Sequence, residues 1–270
     1  MATSKHLLAA AALSALLIPL AHATPEEAAR AQRWQALQEA IFGDRKVLDG
    51  TGVIQLDAPQ RALDAALVPV GLQLTTQEPV KALYLVIDNN PSPLAAHVSF
   101  GPKADPRSMK LRVRVNEYTL MHAVAETQSG KLYMTEKFVK AAGGCSAPAG
   151  SDEKEALSDL GRMKLRLLGE FHPGQPLQAQ LMVRHPNFNG MQMNQVTRYF
   201  TPPRFIKTTA VTYEGEKVFT LESDIAISTD PVFTFGFIPD RAGELKVAIR
   251  DSDDAAFEHS FDVPAATPSG

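Results

Sequence analysis

Short apolar–polar alternations, cut every eight to twelve residues by glycine or proline, run through most of this 270-residue chain. A period of two places successive side chains on opposite faces, so it describes strands that bury one face and wet the other. Met109 to Val115 shows it most clearly: Leu111, Val113 and Val115 point one way, and Lys110, Arg112 and Arg114 the other. Further strands are expected at Val53–Leu56, Val68–Leu74 and Lys81–Asp88, the last closed by the turn Asn89-Asn-Pro-Ser-Pro. Thr119–Glu126, Ser129-Gly130 and Lys131–Lys140 read as a hairpin. The second half repeats the pattern at Met163–Leu168, Leu177–Arg184, Phe205–Tyr213, Lys217–Leu221, Val232–Ile238, Glu244–Asp251 and Phe257–Val263. So many short strands without intervening helices predict an all-β chain of packed sandwiches rather than a parallel sheet.

Three segments break that pattern. Residues 1–23 read as a secretory leader: Lys5 and His6, then the apolar Leu7–Leu20 interrupted only by Ser14, then the small-x-small site Ala21-His22-Ala23. The apolar run is short for a membrane span, so the mature chain is expected to begin at Thr24, in a bacterial-type periplasm, with no membrane attachment after cleavage. Residues 24–42 carry Trp34, Leu37 and Ile41 at helical spacing behind Pro25-Glu26-Glu27, which predicts a short N-terminal helix ending at Gly43. Residues 143–160 are small, proline-bearing and charged, with nothing to hold a core. They predict a flexible linker between a first domain at 24–142 and a second at 161–265, with some helix near Asp152–Leu160.

Composition sharpens the functional question. The formal net charge is −3, which gives no reason to expect nucleic acid or an anionic membrane as partner. Exported proteins commonly pair their cysteines, yet this chain has one, Cys145, in Gly143-Gly144-Cys145-Ser146-Ala147-Pro148. A lone thiol in an oxidising compartment is a liability unless it is buried or used. No bulky neighbour in sequence offers to bury it, the preceding glycines loosen the backbone, and Lys137 and Lys140 upstream are expected to favour the thiolate. Lipidation is excluded by the distance from the leader, and a thiol-redox role is a weaker reading that the missing resolving cysteine disfavours. The histidines lack metal-ligand spacing, and Met191 and Met193 read as filler. His122, within a strand, is expected to pack rather than catalyse. Phosphate loops, serine elbows and paired carboxylates in motif context are missing from the sequence, so no catalytic residue, metal or cofactor is expected.

The first half resembles the SoxY family in Ile87-Asp-Asn-Asn-Pro-Ser-Pro, Leu111-Arg-Val-Arg-Val, Ala123-Val-Ala-Glu-Thr-Gln-Ser-Gly-Lys-Leu-Tyr and Gly143-Gly-Cys. The second half resembles SoxZ in His185-Pro186, Pro203-Arg-Phe-Ile, Glu222-Ser-Asp-Ile-Ala-Ile-Ser-Thr-Asp-Pro-Val-Phe and Asp251-Ser-Asp-Asp-Ala-Ala-Phe-Glu. The resemblance implies two immunoglobulin-like domains that form the sulfur carrier of thiosulfate oxidation. It implies that Cys145 is the covalent attachment point and that Gly143 and Gly144 form a flexible arm. Sulfur-oxidising Sox-type enzymes would be its partners, and the domains would pair within one chain in place of a heterodimer. A fused carrier also resembles a subgroup associated with quinoprotein alcohol dehydrogenases, which gives an alternative: an accessory protein whose thiol is secondary. The family's cysteine sits near a free C-terminus between glycines. Here it is internal, and Ser146-Ala147-Pro148 follows it.

Overall fold

A computed structural model describes residues 24–147, 153–194 and 197–264. The expected leader and residues 148–152 of the expected linker lie outside them. Helix α1 (Pro25–Phe42) opens on a capping box: Thr24 accepts the Glu27 amide through Oγ1, and the Glu27 carboxylate accepts the Thr24 amide at 2.8 Å. Fifteen strands follow, with the short helix α2 (Glu153–Ser158) between the eighth and ninth. The first half holds β1 (Val47–Asp49), β2 (Ile54–Asp57), β3 (Val68–Leu74), β4 (Val80–Ile87), β5 (Leu94–Phe100), β6 (Ala104–Val113), β7 (Thr119–Thr127) and β8 (Leu132–Val139). The second holds β9 (Met163–Leu168), β10 (Leu177–Val183), β11 (Ile206–Tyr213), β12 (Glu216–Ser223), β13 (Val232–Phe237), β14 (Gly243–Asp251) and β15 (Ala256–Val263).

Each half is an immunoglobulin-like sandwich, and the two are joined edge to edge through both layers. Among the described residues one layer is nine-stranded, in the order β1-β8-β7-β4-β5-β12-β11-β14-β15. The other is six-stranded, in the order β2-β3-β6-β13-β10-β9. The seams are the antiparallel pairs β5–β12, with Val98 opposite Leu221 and Phe100 opposite Phe219, and β6–β13, with Met109 opposite Phe235. One apolar cluster runs through both halves, and Val98, Met109, Phe219, Leu221 and Phe235 are all within 2% of full burial. Phe219 and Phe235 meet edge to face at 4.9 Å between centroids.

Strand β7 is buried on both faces because α1 lies over its outer side. Met121, Ala123 and Ala125 enter the sandwich core, while Val124 joins Phe42 and Leu132 beneath Trp34 and Ile41. His122, on that outer face, is stacked by Trp34 at 3.8 Å and lies 3.1 Å from the Asp88 carboxylate. It is wholly buried, a packing residue.

Candidate functional site

The thiol sits where the two halves meet at one end of the sandwiches. After β8 the chain runs back along the segment that leaves β6. The Gly143 amide donates to the Asn116 carbonyl at 2.8 Å, and the Gly144 amide to the Val115 carbonyl at 2.9 Å. Gly143 has φ +79°, and a Cβ on Gly144 would lie 2.0 Å from the Ala65 carbonyl oxygen and 2.7 Å from that of Val115. Only glycine lets the two stretches approach so closely. Ser146 Oγ closes the turn on the Gly143 carbonyl at 3.3 Å.

The second half holds this turn through amide side chains. Asn189 Nδ2 donates to the Cys145 carbonyl at 2.7 Å, and Gln192 Nε2 to the Ala147 carbonyl at 3.3 Å. Their loop is itself fixed from within. Asn187, at φ +43°, donates through Nδ2 to the Ser228 carbonyl at 2.8 Å and accepts the Ile206 amide through Oδ1 at 3.0 Å. His185 Nδ1 accepts the Asn187 amide at 3.1 Å, and His185 Nε2 lies 3.6 Å from the Asp251 carboxylate. Burial holds the His185 imidazole below its ordinary pKa despite that carboxylate.

From the first half comes Arg114, 2% exposed. Nη1 reaches the Gly144 carbonyl at 3.4 Å, while Nη2 donates to Thr229 Oγ1 at 2.6 Å and reaches the Asn187 carbonyl at 3.5 Å. Thr229 Oγ1 in turn donates to the Pro186 carbonyl at 2.8 Å. The guanidinium thus ties the thiol turn to two loops of the second half.

Two sequence-based expectations need correction. Cys145 does not project on an open arm: it is 1% exposed, and Gly143 and Gly144 are pinned by backbone hydrogen bonds. Burial pushes the thiol up to about 11, opposed by the positive charge of Arg114 rather than of Lys137 or Lys140. Arg114 in turn was placed by alternation on the solvent side of its strand. It is buried because the second half covers that side, and desolvation lowers its pKa, opposed by Cys145 when ionised and by the Asp64 carboxylate. Asn187, Asn189 and Gln192 are not among the residues that the sequence alone singles out. Their signal was a loop with an amide at 187, 189, 192 and 194, dense in groups that bind backbone. In its described position the thiol is neutral, shielded and a poor nucleophile. Among the described residues no three His, Cys, Asp or Glu side chains are grouped to hold a metal ion.

Comparison with known proteins divides the chain as its geometry does. The SoxY family model, described as sulfur oxidation protein SoxY, matches residues 38–145, ending on the cysteine. The SoxZ model, sulphur oxidation protein SoxZ, matches residues 166–262. No curated protein matches the chain. Among solved structures, the sulfur carrier protein SoxY from Chlorobium limicola f thiosulfatophilum is 28% identical, covering 43% of this chain and 97% of its own, with a TM-score of 0.37. A superoxide reductase (neelaredoxin) from Ignicoccus hospitalis is 13% identical over 33% of this chain and 78% of its own, at a TM-score of 0.29. The chain is a tandem fusion of a SoxY-family domain and a SoxZ-family domain, which indicates a carrier role in sulfur oxidation.

Proposed function

We propose that the protein is a non-enzymatic periplasmic carrier that holds sulfur-containing intermediates covalently on Cys145 and presents them to Sox-type redox enzymes. The observation that carries this reading is that the SoxY match ends on the chain's one cysteine. With thiosulfate as cargo, one S–S bond forms between Sγ and the outer sulfur. The thiol proton is released, and two electrons pass to the partner redox enzyme. The described position is then a parked state in which the neutral, covered sulfur resists stray oxidants. Loading requires the turn at 143–147 to lift from Asn189 and Gln192. The paired strands at the seams support a further part of the reading, that the fusion takes the place of a heterodimer.

Intact mass spectrometry of the mature protein purified without reductant tests this. A reducible adduct on Cys145, with a mass built from sulfur and sulfonate units, is expected, and its loss in Cys145→Ser. A bare thiol that stays bare after thiosulfate and an oxidant would overturn the reading. It would turn attention to the accessory role beside a quinoprotein dehydrogenase, which Cys145→Ser would leave intact.

A further inference from the structure

Buried charges in proteins are almost always paired with an opposite charge, because an isolated ion loses its hydration without compensation. Arg114 satisfies it only at a distance: the Asp64 charge acts on it, but no carboxylate is bonded to it. Its described hydrogen bonds end on two carbonyls and one hydroxyl, all uncharged, and Nε has no partner. The Cys145 thiol, whose ionised form would offset Arg114, keeps its proton while the turn is closed. Arg114 also lines a cavity of about 440 Å³ together with Asp64, Arg112, Ala147, Thr229 and Asp230. Arg112 spends Nη2 on the Asp230 carbonyl at 3.0 Å, and its Nε is likewise buried without a partner. Of the two carboxylates, that of Asp230 is engaged by Arg184 and by the His185 amide, and Asp64 Oδ1 accepts the Ala66 amide at 2.8 Å. With Asp230 offset by Arg184, two guanidinium groups face one carboxylate, an excess of positive charge one to two residues from the sulfur along the turn.

We infer that this cavity is an oxyanion subsite in which Arg114 and Arg112 receive the terminal sulfonate of cargo attached to Cys145. The inference rests on the carrier reading and adds the residues that recognise the anionic end. Guanidinium forks match tetrahedral oxyanions with directed N–H donors, and a partly desolvated site strengthens the contact. The cargo then brings Arg114 a directly bonded anion, which Asp64, acting from a distance, does not supply.

The test compares two reagents on the full mature chain. Tetrathionate is anionic: the Cys145 thiolate attacks an inner sulfur, forms one S–S bond and displaces thiosulfate, leaving a thiosulfonate on the protein. Iodoacetamide is neutral and alkylates the same thiol. The ratio of the two rates, read by intact mass, cancels any change in how often the turn opens. Arg114→Met is expected to lower that ratio about tenfold, the worth of one charge-assisted contact, and Arg112→Gln severalfold. Should Arg114→Met not fold, Arg112→Gln at a half-buried position decides alone. A ratio within twofold of wild type in the folded variants overturns the subsite and leaves the carrier reading standing. So does a wild-type thiol that takes iodoacetamide but not tetrathionate. Reaction with neither reagent removes the carrier reading and the subsite with it.

Discussion

The two halves of the chain meet twice, in two different chemistries. Along β5–β12 and β6–β13 they share backbone ladders and a dry cluster containing Val98, Met109, Leu221, Phe219 and Phe235. At the thiol they meet through Asn189, Gln192, Arg114 and Thr229, side chains that bind backbone carbonyls or each other. Opening the first seam exposes apolar surface and unpaired strand edges. Opening the second exchanges protein hydrogen bonds for bonds to water, each worth only about 1 kcal/mol net. The contrast makes the sheet seam the costlier of the two to open.

Truncation in the dry seam should give the largest effect. Phe235→Ala is expected to cost roughly 3–5 kcal/mol in urea unfolding, as a single transition reporting both halves. A loss confined to one of two separate transitions would show that the halves are energetically independent. At the polar seam, Gly144→Ala forces a Cβ against the Ala65 carbonyl, where no flexible side chain can yield. The turn must lift, at a cost of about 1–3 kcal/mol, and alkylation of Cys145 by a neutral reagent should rise about tenfold or more. Unchanged labelling would mean that the turn is not what guards the thiol. Asn189→Ala removes the bond to the Cys145 carbonyl and is expected to raise labelling about fivefold, the equivalent of about 1 kcal/mol, with the seam ladders untouched.

A further effect is in pH. The folded protein keeps the Cys145 proton to about 11, against an ordinary thiol value of 9.0. The unfolded chain therefore loses the proton first as pH rises. The stabilisation is full below about 9 and disappears as pH passes through about 11. Stability measured across that window should fall less steeply in Cys145→Ser than in the wild type. Equal slopes would place the thiol in a more hydrated setting than the closed turn provides.

Most strands were legible from their apolar content and turn boundaries, some of them, such as β10 and β14, because they bury one face: β3 and β9 lie at their predicted bounds, and β10 to β15 within a residue or two. Strand β5 was missed, and it is one of the two first-half strands that join the halves. Leu94-Ala-Ala-His97 has weak intrinsic β preference, and the segment is held in place by β4 on one side and β12 on the other. The three-residue β1 was missed too, since it exists through parallel pairing with β8, more than eighty residues away. The site divided in the same way. A lone cysteine after two glycines drew attention by itself. Its burial depends on Ala65, Arg114 and Asn189, which no local window contains. Arg114 misled because alternation describes one sheet's two faces and is silent on what a second domain lays over one of them.

The outer strands of the joined layers carry a consequence for assembly. Edge-to-edge pairing is a geometry that, repeated, makes a fibre. Here one edge of each layer in each half is used up in the seam, and the remaining edges are poor templates. Strand β1 is three residues long and β2 four, while β9 places Lys164 and Arg166 along its rim. Strand β15 presents Glu258, His259 and Asp262 along its length. A third sandwich would meet short or charged borders where the first two found each other through long, apolar strands.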